Sequence, residues 1–182
     1  GLRYDRFEAA ISEDQLSPRV ALVWKPGDAT TFHAGYARTF TPPPLELIAG
    51  GGLEEFDGTT GETPAQQGDP VRAQSDHIFD IGVQQILCPL TLGLDAYYKR
   101  QRNLIDLEQL GGSLIQSPYN FERATSWGIE FSASYKRGPL ALYLNAARGD
   151  QRARRIVSNQ FFFEPDELEY IAANEIFTDH SQ

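Results

Sequence analysis

His33, His77 and His180 are the first residues to test for metal chemistry, and their spacing fails the test. Metal sites draw nitrogen and sulfur ligands from short, paired intervals, whereas these three are scattered along the chain. Glu54, Glu55, Asp57, Glu62 and Asp69 offer oxygen ligands suited to Ca²⁺. Their order does not fit an EF-hand loop, and their Gly- and Pro-rich surroundings predict a solvated loop instead. Neither a Gly-x-Ser-x-Gly elbow nor a phosphate-cradling loop occurs. The expectation is a protein that is not an enzyme and uses no metal or other cofactor.

Arginine is the more informative residue. Arg148, Arg152, Arg154 and Arg155 crowd one short stretch. Guanidinium pairs with phosphate bidentately, so near an outer rim these side chains could face phosphorylated lipid or an anionic ligand. The plainer reading is a solvated network with nearby acids. Arg148-Gly149-Asp150 forms an integrin-like triplet, but in a strand running into a loop it reads as chance. Cys88 is the sole cysteine, so no internal disulfide forms. It reads as a small residue beside a turn.

The 182 residues, 41% of them hydrophobic, suffice for one domain. A net charge of −9 argues against a nucleic-acid partner. Mean hydropathy is −0.40, and no stretch approaches the ~18 to 20 apolar residues of a spanning helix. Spanning strands remain open, because they alternate and average out as polar. The chain contains no Met, even at position 1, so it is expected to begin inside a longer product or after processing. No signal peptide is visible, which says nothing about compartment.

The elements that would carry these residues alternate. Val20, Leu22 and Trp24 share one face against Arg19, Ala21, Val23 and Lys25. After Pro26-Gly27-Asp28, Phe32, Ala34 and Tyr36 do the same against Thr31, His33, Gly35 and Ala37. That period marks strands with one apolar face, and Pro-Gly-Asp marks the turn. The pattern repeats over 76–86, 90–106, 124–137 and 140–150, with short turns at Cys88-Pro89 and Gly138-Pro139. Residues 1–8 read as a strand end and 9–16 as a polar connection. Segments 41–75, 107–122 and 148–172 read as longer loops, the last with a short helix beginning at Pro165. Another strand begins near 174–182. About seven strands result, and the fold class is all-β, an antiparallel up-and-down meander.

The apolar face meets either a protein core or lipid. Short turns at one end and long loops at the other match outer-membrane barrels. The strand at 90–106 is far longer than the ~5 to 6 residues usual in soluble sheets. The opposite faces carry Gly and Ser, which suit a lumen. Trp24 and Tyr135 lie by the short turns, and Tyr36, Tyr98 and Trp127 toward the long loops, as two aromatic girdles would. Lipid is the better reading, with Val20, Leu22, Trp24, Phe32 and Tyr36 against it.

The stretch LSPRVALVWKPGDATTFHAGYARTFTPPPLE resembles a barrel hairpin of TonB-dependent outer-membrane receptors. Ser17, Pro18, Arg19 and Ala21 descend to the turn; Gly35, Tyr36, Phe40, Pro42 and Pro43 rise into an external loop. Tyr97, Tyr98 and Lys99 resemble a later strand of that family, and Gly128, Ile129 and Glu130 the strand after it. The resemblance covers nearly the whole chain. It implies a bacterial outer-membrane location and TonB-coupled import of a scarce solute, such as a siderophore-metal complex, cobalamin or a glycan fragment. The implied partners are outer-membrane lipid, a plug domain of the same parent chain, TonB through an N-terminal part, and a small-molecule ligand. No plug or closing strand is visible in 1–182, so the chain reads as part of a barrel of ~22 strands. Ligand contact is expected at Phe56 and Tyr119 on the loops, and at Arg38 and Lys99 on the lumen side near the rim. The competing readings are a soluble secreted β-sandwich whose 41–75 loop binds a partner, and a passive porin-like barrel.

Overall fold

The computed structural model describes residues 1–8, 12–44, 70–109, 116–160 and 163–177. Strands β1 (Leu2–Glu8), β2 (Ser12–Gly27), β3 (Thr30–Thr41), β4 (Gln74–Leu87), β5 (Leu90–Gln109), β6 (Gln116–Arg137) and β7 (Leu140–Ile156) are followed by helix α1 (Pro165–Ala173) and a two-residue β8 (Ile176–Phe177). All eight strands form one antiparallel sheet in sequence order. Among the described residues the sheet is not closed on itself.

Two-residue turns join β2 to β3, β4 to β5 and β6 to β7. Gly138 in the last of these has φ +57°, a conformation that only Gly adopts without a Cβ penalty. Helix α1 begins as the sequence indicates, with Pro165 in its first turn beside Asp166 and Glu167. A missing N–H is harmless there, and the acids favour the helix's positive end.

Register converts the alternation into faces. Tyr36, Phe79, Tyr98 and Trp127 are mutual cross-strand partners, forming one row across four strands. The row of Phe32, Val83, Leu94 and Phe131 runs parallel to it, nearer the short turns. This apolar face stays open: Leu22 is 65% exposed and Ile81 62%. Trp24 stacks on Phe32 at 5.4 Å beside the β2–β3 turn. From Leu90 to Tyr98 the outward side chains of β5 span ~27 Å of strand. At a barrel tilt of ~40° that is ~20 Å of height, close to the ~25 Å apolar band of a membrane barrel.

The strands outrun the sequence reading. Residues 12–16 belong to β2, and most of 107–122 belongs to β5 and β6 rather than to a loop. β7 likewise continues to Ile156. Alternation breaks at one level across three strands. Both ladders skip Glu122, and the residues opposite, Asn103 and Arg155, have φ of 52° and 56°. Beyond that level Leu104, Phe121 and Ile156 turn inward and join Ala124, Ala153, Tyr119 and Ile171 in a small core. Helix α1 covers this core through Ile171.

Candidate ligand-facing wall

The face opposite the aromatic row is polar. Its cross-strand rows read Thr39, Asp76, Gln101, Ala124; then Ala37, Ile78, Lys99, Ser126; then Gly35, Asp80, Tyr97, Gly128; then His33, Gly82, Asp95, Glu130. The glycines make room for their neighbours: a Cβ at Gly35 would collide with the Asp80 carboxylate, and one at Gly128 with the Tyr97 ring. Polar side chains of uneven size on a wide sheet suit a water-filled or plug-filled lumen.

Near the upper end of this wall, Asp76 is the organising residue. Its side chain is 5% exposed and lies 3.4 Å from Lys99 Nζ. Thr39 Oγ1 donates to it at 3.3 Å, and Gln74 Nε2 donates to both of its oxygens at 2.9 and 3.0 Å. Three partners of donor type satisfy the buried carboxylate. Lys99, on the same face, keeps 29% of its side chain in the open. Next to it, Gln101 is 2% exposed, and its Oε1 has no hydrogen-bond partner among the described residues. Lower down, His33 Nε2 sits 3.3 Å from Asp95. The wall can hydrogen-bond and attract charge; no group of three metal-ligating side chains occurs among the described residues.

The four residues singled out from sequence do not converge. Lys99 lies on the polar wall. Arg38 does not: its partner is His77, and it shares the face of Tyr36, with Nη1 3.4 Å from the Leu16 carbonyl. An even residue count from Tyr36 to Arg38 requires this, in place of the expected lumen position. Tyr119 sits in β6, 5% exposed, not on an open loop. It packs edge-on against Phe121 and Phe163 and donates to Asp106 at 3.2 Å. Burial, reinforced by Asp106, pushes its phenol pKa up and keeps the proton in that bond. Phe56 lies outside the described residues.

Sequence reasoning missed Asp76 and Asn120. Asn120 is fully buried and clamps three segments. Its Oδ1 accepts from Arg72 N at 2.7 Å and from Ser158 Oγ at 2.9 Å, while Nδ2 donates to the Arg72 and Asn103 carbonyls. No local pattern announces such a residue, because its partners lie 17 to 48 positions away.

The sequence profile described as TonB dependent receptor-like, beta-barrel matches residues 1–165. No curated protein matches at a significant level. Among solved structures, the FrpB iron transporter from Neisseria meningitidis (F3-3 variant) superposes with a TM-score of 0.65 at 18% identity. Its F5-1 variant, as apoprotein, gives 0.63 at 17%. Each alignment covers 90% of this chain and 24% of the transporter, so the chain spans about a quarter of those proteins.

Proposed function

This chain belongs to the TonB-dependent receptor β-barrel family, and on that premise we propose that its parent protein is an outer-membrane receptor that imports a scarce solute. The work of residues 1–182 is that of a wall. One face excludes water from lipid; the other lines the path under the external loops. A plug domain of the same parent chain would fill the lumen, and TonB would supply the pull.

The observation that carries this reading is the in-register aromatic row of Tyr36, Phe79, Tyr98 and Trp127 bounding an exposed apolar band. A soluble sandwich would cover that band with a second sheet; the described strands form a single sheet. Among solute classes, a metal chelate is favoured. The structural neighbours are described as iron transporters, and Lys99, partly open beside its Asp76 partner, offers an ammonium to an anionic chelate. Cobalamin and glycan fragments rank behind it, since neither needs a cation on the wall.

The test is uptake by the intact receptor. Cells grown under iron limitation should take up radiolabelled iron complexed with a panel of chelators, and should stop when TonB is removed. Lys99→Ala should weaken chelate binding severalfold while leaving receptor abundance unchanged. Uptake of glycans but not of iron chelates would overturn the solute class. Uptake independent of TonB would overturn active transport in favour of a passive pore. Unchanged affinity in Lys99→Ala would remove Lys99 from the site.

A further inference from the structure

Directly above the aromatic row, the outward face changes character. The next cross-strand row is Arg38, His77, Arg100, Thr125 and Arg152, and the one after is Phe40, Ser75, Arg102, Arg123 and Arg154. Six arginines thus stand in two adjacent rows, and neither row contains a carboxylate. Arg102 opposes Arg123, which in turn opposes Arg154. Like charges directly opposite one another destabilise a sheet, so this lattice is unfavourable in isolation. It is also a local reversal in a chain whose net charge is −9.

Nearby acids compensate only in part. Asp150 takes Arg152 at 2.9 Å, and Glu122 takes Arg123 at 3.4 Å and Arg155 at 3.3 Å. Arg100 and Arg102 form no ion pair with a carboxylate among the described residues, and both are exposed. Arg38 Nε is buried, with no hydrogen-bond partner among the described residues. Three clefts open among these side chains. One of about 280 Å³ lies between Tyr98, Arg100, Arg123, Thr125, Arg152 and Arg154, with Glu175 also on its wall. One of about 330 Å³ is bounded by His77, Phe79, Arg100 and Arg102. A third, of about 250 Å³, includes Glu122, Arg123, Arg154 and Arg155.

We propose that this belt is a docking surface for the phosphorylated headgroup of an outer-leaflet lipid. Height selects the occupant. The belt begins one strand step above Tyr98, ~5 Å higher at barrel tilt, which is where headgroups begin above an aromatic girdle. Facing outward, it cannot meet a solute travelling through the lumen. Charge selects the headgroup: paired guanidiniums fit phosphate oxygens two at a time. An acyl chain of the same molecule would lie down the apolar face beside Phe79, Tyr98 and Trp127. A phosphate placed between Arg102, Arg123 and Arg154 removes their mutual repulsion, so binding and sheet stability are linked.

The inference rests on the membrane reading above, and the experiment keeps the two apart. The intact receptor, purified in dodecyl maltoside, is titrated with bisphosphorylated lipid A, its dephosphorylated form, and inorganic phosphate. Retained lipid is counted by native mass spectrometry, while TonB-dependent uptake is measured in parallel. The bisphosphorylated lipid should bind at least about tenfold more tightly than the dephosphorylated one. The triple variant Arg102→Gln, Arg123→Gln, Arg154→Gln should lose that preference, whereas Arg137→Gln, at the turn end, should keep it. Without lipid the triple variant should melt higher than the native receptor, because repulsion has gone; with lipid A the native receptor should overtake it. If the triple variant fails to assemble, the Arg→Lys triple, which keeps charge but loses the bidentate fork, should bind at an intermediate level. Equal binding of free phosphate would make this a soluble-anion site and overturn the proposal. So would equal retention of both lipids, or a triple variant that melts lower without lipid. Loss of uptake with lipid preference intact would strike the transport reading alone.

Discussion

A charge on the apolar face should be penalised by depth, and Leu94 is the place to measure it. Leu94 lies in the row of Val83 and Phe131, and its side chain is 48% exposed in the sheet. It is four residues from Leu90 at the turn and four from Tyr98 in the aromatic row. That is ~13 Å along the strand either way, or ~10 Å of height at a ~40° tilt. Leu94 therefore sits near the middle of the band. Arginine there should destabilise the assembled receptor by ~2 to 4 kcal/mol, against ~0 to 1 at Leu90 or Tyr98. A gap of ~2 to 3 kcal/mol is a factor of roughly 30 to 150 in the folding equilibrium. Asp95→Arg, at the same depth but on the lumen face, should fall below ~1 kcal/mol because water reaches it. The assay is urea unfolding of the intact receptor in phosphatidylcholine bilayers, followed by tryptophan fluorescence. Equal penalties at Leu90, Leu94 and Tyr98 would refute the lipid assignment. A penalty at Leu94 that persists unchanged in plain buffer would point to a sandwich core.

Other perturbations probe other levels of the structure. Asn120→Ala should destabilise the upper sheet by ~2 to 4 kcal/mol, since the Arg72 amide and two carbonyls lose their buried partner; amide exchange at Arg72 should accelerate first. Gly149→Val should destabilise β7 by ~1 to 3 kcal/mol, because even a Cβ would sit 2.9 Å from the Trp127 carbonyl and 3.3 Å from the Tyr97 hydroxyl; thermal melting reports it. Cys88, an exposed thiol in the β4–β5 turn, should react with a bulky impermeant maleimide only after the outer membrane is permeabilised; labelling in intact cells would invert the topology.

The lower sheet was legible because each strand there obeys one period between strong turns. Lys25-Pro26-Gly27-Asp28, Cys88-Pro89 and Gly138-Pro139 fix the hairpins, and alternation fixes the faces. The helix at Pro165 was legible for the same local reason. The upper sheet was not. Pro118 inside β6 and the glycines at 111 and 112 argue for a loop by the usual strand rules, yet Pro118 pairs with Leu107 within the ladder. Asn103 and Arg155 reverse the faces, so counting parity through them misassigns Leu104, Phe121 and Ile156. For Tyr119, exposure on a loop was inferred from that same misplaced boundary. Asp76 and Gln101 needed the three-dimensional register, because an acid or amide in an alternating strand looks like any solvated residue.

The reversal at Asn103, Glu122 and Arg155 has a consequence for how such a barrel can change over generations. A single-residue slip in an uninterrupted strand would swap every lipid-facing side chain with a lumen-facing one. Here the twist of the backbone lies above the arginine rows, and the ladders on either side of it keep separate inward sets. Insertions, deletions or wholesale exchange of the chain beyond that level can be absorbed there without disturbing the rows from Leu90 to Arg102. The three skipped residues act as an expansion joint between the rows of the apolar band and the strand ends beyond them.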